Sequence, residues 1–276
     1  MRVYRRRRPE RTCLYQAVPG HLETYLELAR EGQGERVPQH VEAEFRRYLE
    51  CGILAHGFAR ARCADCGHDF LIAFSCKGRG VCPSCNARRM AETAAHLVEA
   101  VFPPLPVRQW VFSVPKRLRY FLQHDPEAIA AVLHILLRVI EAQLRQRSGC
   151  MRGRLGAVSF VQRFGSALNT HVHFHCCVID GVFAAGAHGQ VHFAEAGALS
   201  AEDCAAVQQQ VRTRVLRWFA RAGHLDPADA PDMARWDHGA GFSLDASVRI
   251  EGSDRTGLQR LLPLLPSPAK WERGWG

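Results

Sequence analysis

From Leu168 to Gly181 the sequence reads Leu-Asn-Thr-His-Val-His-Phe-His-Cys-Cys-Val-Ile-Asp-Gly, three histidines separated by single apolar residues. A β-strand sends successive side chains to opposite faces, so His171, His173 and His175 share one face, with Cys177 and Ile179 further along it. Val172, Phe174, Cys176 and Val178 share the other and read as core. A helix would scatter the imidazoles over about 200° of arc. The β-branched and aromatic residues favour the strand, and Asp180-Gly181 is the turn signal that ends it. Three imidazoles on so apolar a strand are costly to desolvate without partners. A bound metal ion would satisfy all three, since imidazole is the commonest protein ligand for one. A half-exposed strand with a wet, polar face and no ligand is the other reading. The spacing does not name the metal.

The chain has 276 residues, enough for about two domains, and a net charge of +9 with a pI near 9.2. That balance favours an anionic partner, most often nucleic acid. No apolar run reaches the length of a membrane span. The basic start, Met1 to Arg8, runs into Pro9-Glu10-Arg11 where a signal peptide needs an apolar region. A cytoplasmic location is expected, and eleven cysteines then argue for reduced thiols or metal ligands over disulfides.

The second constraint is cysteine spacing. Cys63-Ala64-Asp65-Cys66 and Cys82-Pro83-Ser84-Cys85 form two C-x2-C pairs separated by fifteen residues. Each pair offers two thiolates from one tight turn, suited by Gly67 and Pro83. The expectation is one closed, structural zinc held by Cys63, Cys66, Cys82 and Cys85. Cys76 between them is a spare buried thiol or a substitute ligand. His68 to Phe74 alternates like a ribbon strand. Lys77, Arg79, Arg88 and Arg89 surround this block as candidate DNA contacts, although such ribbons also serve in protein contacts.

Taken in order, Arg5 to Arg8 and Arg11 form a basic tail, either a solvated charge run or an auxiliary phosphate clamp. Helices are expected over residues 20–31 and 38–49, and from Asn86 to Val101. Pro103-Pro104-Leu105-Pro106 reads as a hinge. The expected domains are a basic tail (1–19), a helical and zinc-binding domain (20–102), a core domain (107–262) and a Pro-rich tail (263–276). Val107 to Val114 reads as a strand. Lys116, Arg117 and Arg119, interleaved with Tyr120 and Phe121, read as a single-strand contact or as a charged loop closing on the core. Asp125-Pro126 opens a helix to about Arg147. Leu155 to Phe164 pairs with the histidine strand as a hairpin, a second hairpin follows from Gly181 to Phe193, and Ser200 caps a helix to about Ala222. The order implies an α+β fold: helices and a zinc ribbon, then an antiparallel sheet with helices on one face.

The block Leu168-Asn169-x-His171-x-His173-Phe174-His175 resembles the HUH motif (His, hydrophobic, His) of rolling-circle nucleases. With Cys63 to Met90, the chain more closely resembles rolling-circle transposases of the insertion-sequence ninety-one type, over about Leu14 to Leu262. The resemblance implies a HUH endonuclease-like core, His173 and His175 as the HUH pair with His171 an extra imidazole, and a magnesium or manganese ion. It implies DNA transposition and recombination: binding of DNA, mainly single-stranded or element ends, and nicking and joining through a phosphotyrosine link. A zinc-dependent DNA-binding regulator and a water-using metal-dependent phosphodiesterase are the alternatives. In the family the nucleophilic tyrosine lies on a helix downstream of the HUH strand.

This chain departs from that pattern. Its tyrosines are Tyr4, Tyr15, Tyr25, Tyr48 and Tyr120, and none follows the histidine strand. Ser247 to Gly252 looks like the family's last strand and Ser253 to Leu262 like the start of its tyrosine helix. Pro263-Leu264-Leu265-Pro266-Ser267-Pro268 would break that helix. The expectation is a truncated or frameshifted copy without its nucleophile, with Tyr120 a weak substitute.

Overall fold

The computed structural model describes residues 6–33, 37–165, 169–186, 189–236 and 238–262. Arg5, Ser166 and the tail from Pro263 lie outside the described residues. By its contacts the chain divides into two units, Met1–Glu92 and Thr93–Gly276. The division falls inside a helix and not at the proline run. Beyond it, Ala94, Leu97, Val98 and Phe102 pack with Val107, Phe160 and Ile179.

In the first unit, α1 (Cys13–Gln33) and α2 (Gln39–Glu50) precede a ribbon of β1 (Phe58–Arg62) and β2 (Asp69–Ala73). α1 starts earlier than its periodicity suggests and runs through Pro19. The reason is burial: Val18 joins Leu22 and Leu26 in contact with Tyr48 of α2. The ribbon is antiparallel, with Phe58 opposite Ala73 and Arg62 opposite Asp69. The fully buried core here is small: Val18, Leu22, Leu26, Tyr48, Cys51 and Cys82. So small a core gains much from a staple such as a metal.

α3 (Pro83–His96) leads to the second unit. Its sheet is antiparallel, in the order β4 (Ala157–Phe164), β5 (Thr170–Ile179), β3 (Val107–Ser113), β8 (Ser243–Asp245), with β9 (Arg249–Ile250) also on β3. The histidine strand β5 is therefore central. A separate hairpin joins β6 (Gly181–Ala185) to β7 (Val191–Glu195). The basic segment after β3 is a helix, α4 (Lys116–His124), and not a loop. Its Leu118 and Leu122, four residues apart, are fully buried. α5 (Pro126–Ser148) starts where Asp125 Oδ1 accepts the Glu127 N–H at 2.8 Å and stops at Gly149, φ +70°. α6 (Ala201–Arg221) begins with reciprocal hydrogen bonds between Ser200 and Asp203. α7 (Asp229–Arg235) and α8 (Arg255–Leu261) complete the unit.

The two sheet faces differ. On one, Trp110, Phe112, Val172, Phe174, Cys176 and Val178 pack against α4, α5 and α6, including Leu136, Ile140, Val211 and Phe219. Each fully buried aliphatic there contributes about 1.5–3 kcal/mol. On the other, Phe160, Cys177 and Ile179 are covered by Leu97, Val98 and Phe102 and by Leu258 and Leu262. Arg255 holds α8 in place, donating to the carbonyls of Phe102 at 2.7 Å and Pro103 at 3.0 Å. Helices thus cover one face fully and the Ile179 end of the other. The opposite end of that second face carries the histidines.

Candidate metal centre and histidine face

The first unit gathers four thiols. Cys51, Cys76, Cys82 and Cys85 have all their Sγ atoms within 4.8 Å of one another. The Cys51–Cys82 and Cys76–Cys85 separations are 3.6 Å and Cys51–Cys85 is 3.7 Å. A tetrahedron with Zn–S bonds of about 2.3 Å has edges of about 3.8 Å, so the cluster already has the span of a zinc site. Two of the four cysteines, Cys51 and Cys82, are buried and the other two half-buried, and four thiols at this spacing are a donor set that fits zinc. Burial pushes the Cys51 and Cys76 thiols up. At Cys82 burial also raises the thiol, but the Cys85 N–H and neighbouring thiols outweigh it and the net shift is downward.

This corrects the expected ligand set. Cys82 and Cys85 are brought together, but their partners are Cys51 and Cys76, while Cys63 and Cys66 stand at the ribbon tip between β1 and β2. The cause is ribbon geometry. β2 carries the chain away from the tip, and Gly52 N–H donates to Phe74 O at 2.9 Å. That bond sets Cys51 beside Cys76, whose N–H reaches Cys51 Sγ at 3.3 Å. Glu44 on α2 fixes the next loop: its carboxylate accepts from Arg79 N and Gly80 N at 2.8 Å and from Val81 N at 3.3 Å. A Cβ on Gly80 would stand 2.5 Å from Glu44 Oε2, so a side chain there would push that carboxylate off its three backbone donors.

Lys77, Arg88 and Arg89 line one cleft of about 810 Å³ with Arg6 and Arg7, the exposed Phe74, and one carboxylate, Glu92. Arg89 Nε is buried there without a hydrogen-bond partner. Arg79 is not part of that lining.

In the second unit the histidines share one half-buried face of β5, as the alternation requires. Neighbouring rings stand 5.0 Å apart. The register sets Ser113 and Gln162 on either side of His173, and Val111 and Phe160 on either side of His175. His173 Nδ1 lies 2.8 Å from His171 O. A carbonyl only accepts, so Nδ1 carries a proton, which leaves Nε2 to face any ligand. His175 Nδ1 lies 3.1 Å from the amide of Gln109, a side chain buried in the sheet. The Nε2 atoms of His171 and His175 are buried and have no partner. Burial, then His173, pushes His175 down to about 4. Burial, then Arg119 and His173, also lowers His171. These rings are neutral near pH 7, the form that ligates metal. Their ligand atoms do not converge with a third group as tightly as the cysteines do: among the described residues the thiol cluster alone meets that standard.

The other basic residues separate. Arg119 on α4 donates from Nε to Val114 O at 3.0 Å and lies near His171. Arg117 is paired with Asp229, and Lys116 is exposed. Tyr120 is exposed, its ring against His124 and Phe121. Sequence reasoning missed Gln109 and Cys51. A lone cysteine just past a helix gives no spacing signal, and Gln109 sits in an otherwise apolar strand.

Fold and site together define a two-unit α+β protein, a cysteine metal centre followed by an antiparallel sheet with a histidine face. Residues 20–114 match the family described as "Transposase zinc-binding domain", and residues 156–269 match that described as "Putative transposase". Across both matches the chain resembles the insertion-sequence ninety-one type transposases, and the four-thiol cluster lies within the stretch that matches the zinc-binding domain. Neither a curated protein nor a solved structure matches it. No helix among the described residues is long and apolar enough to cross a membrane.

Proposed function

We propose that this chain is a DNA-binding transposase whose histidine face receives a phosphate of single-stranded DNA. The observation that carries this reading is the half-buried histidine end of the sheet face, where His173 Nδ1 is held by the His171 carbonyl and the buried Nε2 atoms of His171 and His175 lack partners. His173 and His175, with His171, would hold a magnesium or manganese ion, which when bound supplies Lewis acidity at a phosphate oxygen. Ser113 and Gln162 flank His173 as hydrogen-bonding groups, and Arg119 offers positive charge beside His171. Gln109 orients the His175 ring. A 180° turn of its amide presents either an acceptor or a donor to Nδ1. The zinc is structural. In the first unit, Lys77, Arg88 and Arg89, with Arg6 and Arg7, contact the DNA backbone, and Phe74 offers a stacking surface.

Nicking and joining of strands, which the family resemblance implies, requires a tyrosine hydroxyl beside the phosphate. α8 lies on the histidine side of the sheet, since Leu258 packs with Phe160, the neighbour of His175. No tyrosine follows Tyr120 in the sequence. The proposed behaviour of these 276 residues is therefore binding without covalent capture. A labelled single-stranded oligonucleotide incubated with manganese should bind with steep salt dependence, about 0.7 log units of affinity per log unit of salt for each phosphate contact. No protein–DNA band should survive denaturation. A covalent band would contradict the second half of the proposal, and salt-independent binding the first.

A further inference from the structure

Cys63 and Cys66 are left over once the four-thiol cluster is assigned. Their turn is built like one arm of a metal site. Gly67 N–H donates to Cys63 O at 3.0 Å and Cys63 N–H to His68 O at 2.9 Å. Gly67 has φ +69°, a conformation in which a side chain is strained. Cys63 and Cys66 sit on this one C-x2-C turn, and hydrogen bonding from the Cys66 and Asp65 backbone and the Cys66 side chain holds the Cys63 thiol below its ordinary value.

Two thiolates are half of a closed tetrahedral zinc site. No group of three or more ligating side chains among the described residues includes either of them. The nearest imidazole in sequence, His68, stacks on Phe70. The tip is open: Ala64 to Asp69 are all exposed. A second molecule can reach it, and a second copy carries the same pair.

We propose that Cys63 and Cys66 form half of a second zinc site, completed by the same two cysteines of another copy of this chain. The contact is two-fold and self-complementary, so it closes at the dimer. Each thiol loses its proton to solvent as its sulfur binds zinc, with no change of redox state.

The test uses the full chain, kept reduced, with zinc added in steps while molar mass and bound zinc are measured together. The wild type should become a dimer with about three zinc ions per pair, one in each four-thiol cluster and one shared. The double variant Cys63→Ser, Cys66→Ser should stay monomeric and keep about one zinc per chain, which also reports that its first unit is folded. Cys66 in the wild type should resist a maleimide only with zinc present, and should lose that protection on dilution. A zinc-saturated wild type that remains monomeric overturns the proposal, whether it holds one ion or two. So does a dimer that persists in the double variant, or a protection of Cys66 that dilution does not change.

Discussion

The buried amide of Gln109 on β3 stands 3.1 Å from Nδ1 of His175 on β5, two strands paired through the centre of the sheet. A buried residue thus sets how one imidazole of the half-buried histidine face is held. Replacing such a partner typically lowers metal affinity 10–100-fold. Gln109→Leu should weaken manganese binding by about that factor with little change in secondary structure. Calorimetric titration checks it, and an unchanged affinity would remove Gln109 from the site.

Cys76→Ser should abolish zinc binding by the four-thiol cluster and unfold the first unit, because its small core cannot hold without the ion. Cys63→Ser should leave that zinc in place. Elemental analysis with thermal melting distinguishes them. Loss of the zinc from Cys63→Ser, with retention in Cys76→Ser, would restore the assignment drawn from spacing alone.

That contrast marks what the sequence conveyed. The alternation through His171, His173 and His175 admits one strand, and β5 has the expected faces. Asp125-Pro126 and Ser200 with Asp203 are local signals, and the helices begin where those residues stand. The cysteine partners were not local. Cys51 and Cys76 meet through the hydrogen bond between Gly52 and Phe74 and that from Cys76 N–H to Cys51 Sγ, and nothing in the spacing of either residue encodes them. The three residues of β8 are too few to show a period, and the charges on α4 mask a helix that only two leucines bury.

Asp180 ends β5 with its side chain fully buried, accepting from Arg108 at 3.1 and 2.9 Å and from Arg249 at 2.7 Å. Removing one partner of such a pair strands the other charge and costs about 3–5 kcal/mol. Asp180→Ala should lose that much in a denaturant titration. Glu195→Ala, which removes an exposed partner of Arg249, should cost no more than about 1 kcal/mol. Equal, small losses would show that the network carries no stability.

Glu44 tests the loop that carries Cys76 and Cys82. Burial raises its carboxyl, but the three backbone donors outweigh this, and the net shift is downward. A depressed folded-state value stabilises above the unfolded value of about 4.3 and is lost as pH falls through the folded value. Glu44→Gln should therefore melt below the wild type at pH 7, and the gap should narrow on acidification below about pH 4.3. A gap that stays constant, or widens in acid, would refute this role.

The histidine face itself is tested by binding a fluorescent single-stranded oligonucleotide with and without manganese, in the wild type and in the double variant His173→Ala, His175→Ala. The account predicts that manganese tightens binding to the wild type by about tenfold or more and leaves the double variant unchanged, while binding through the basic cleft persists in both. Equal manganese dependence in the two proteins would contradict it.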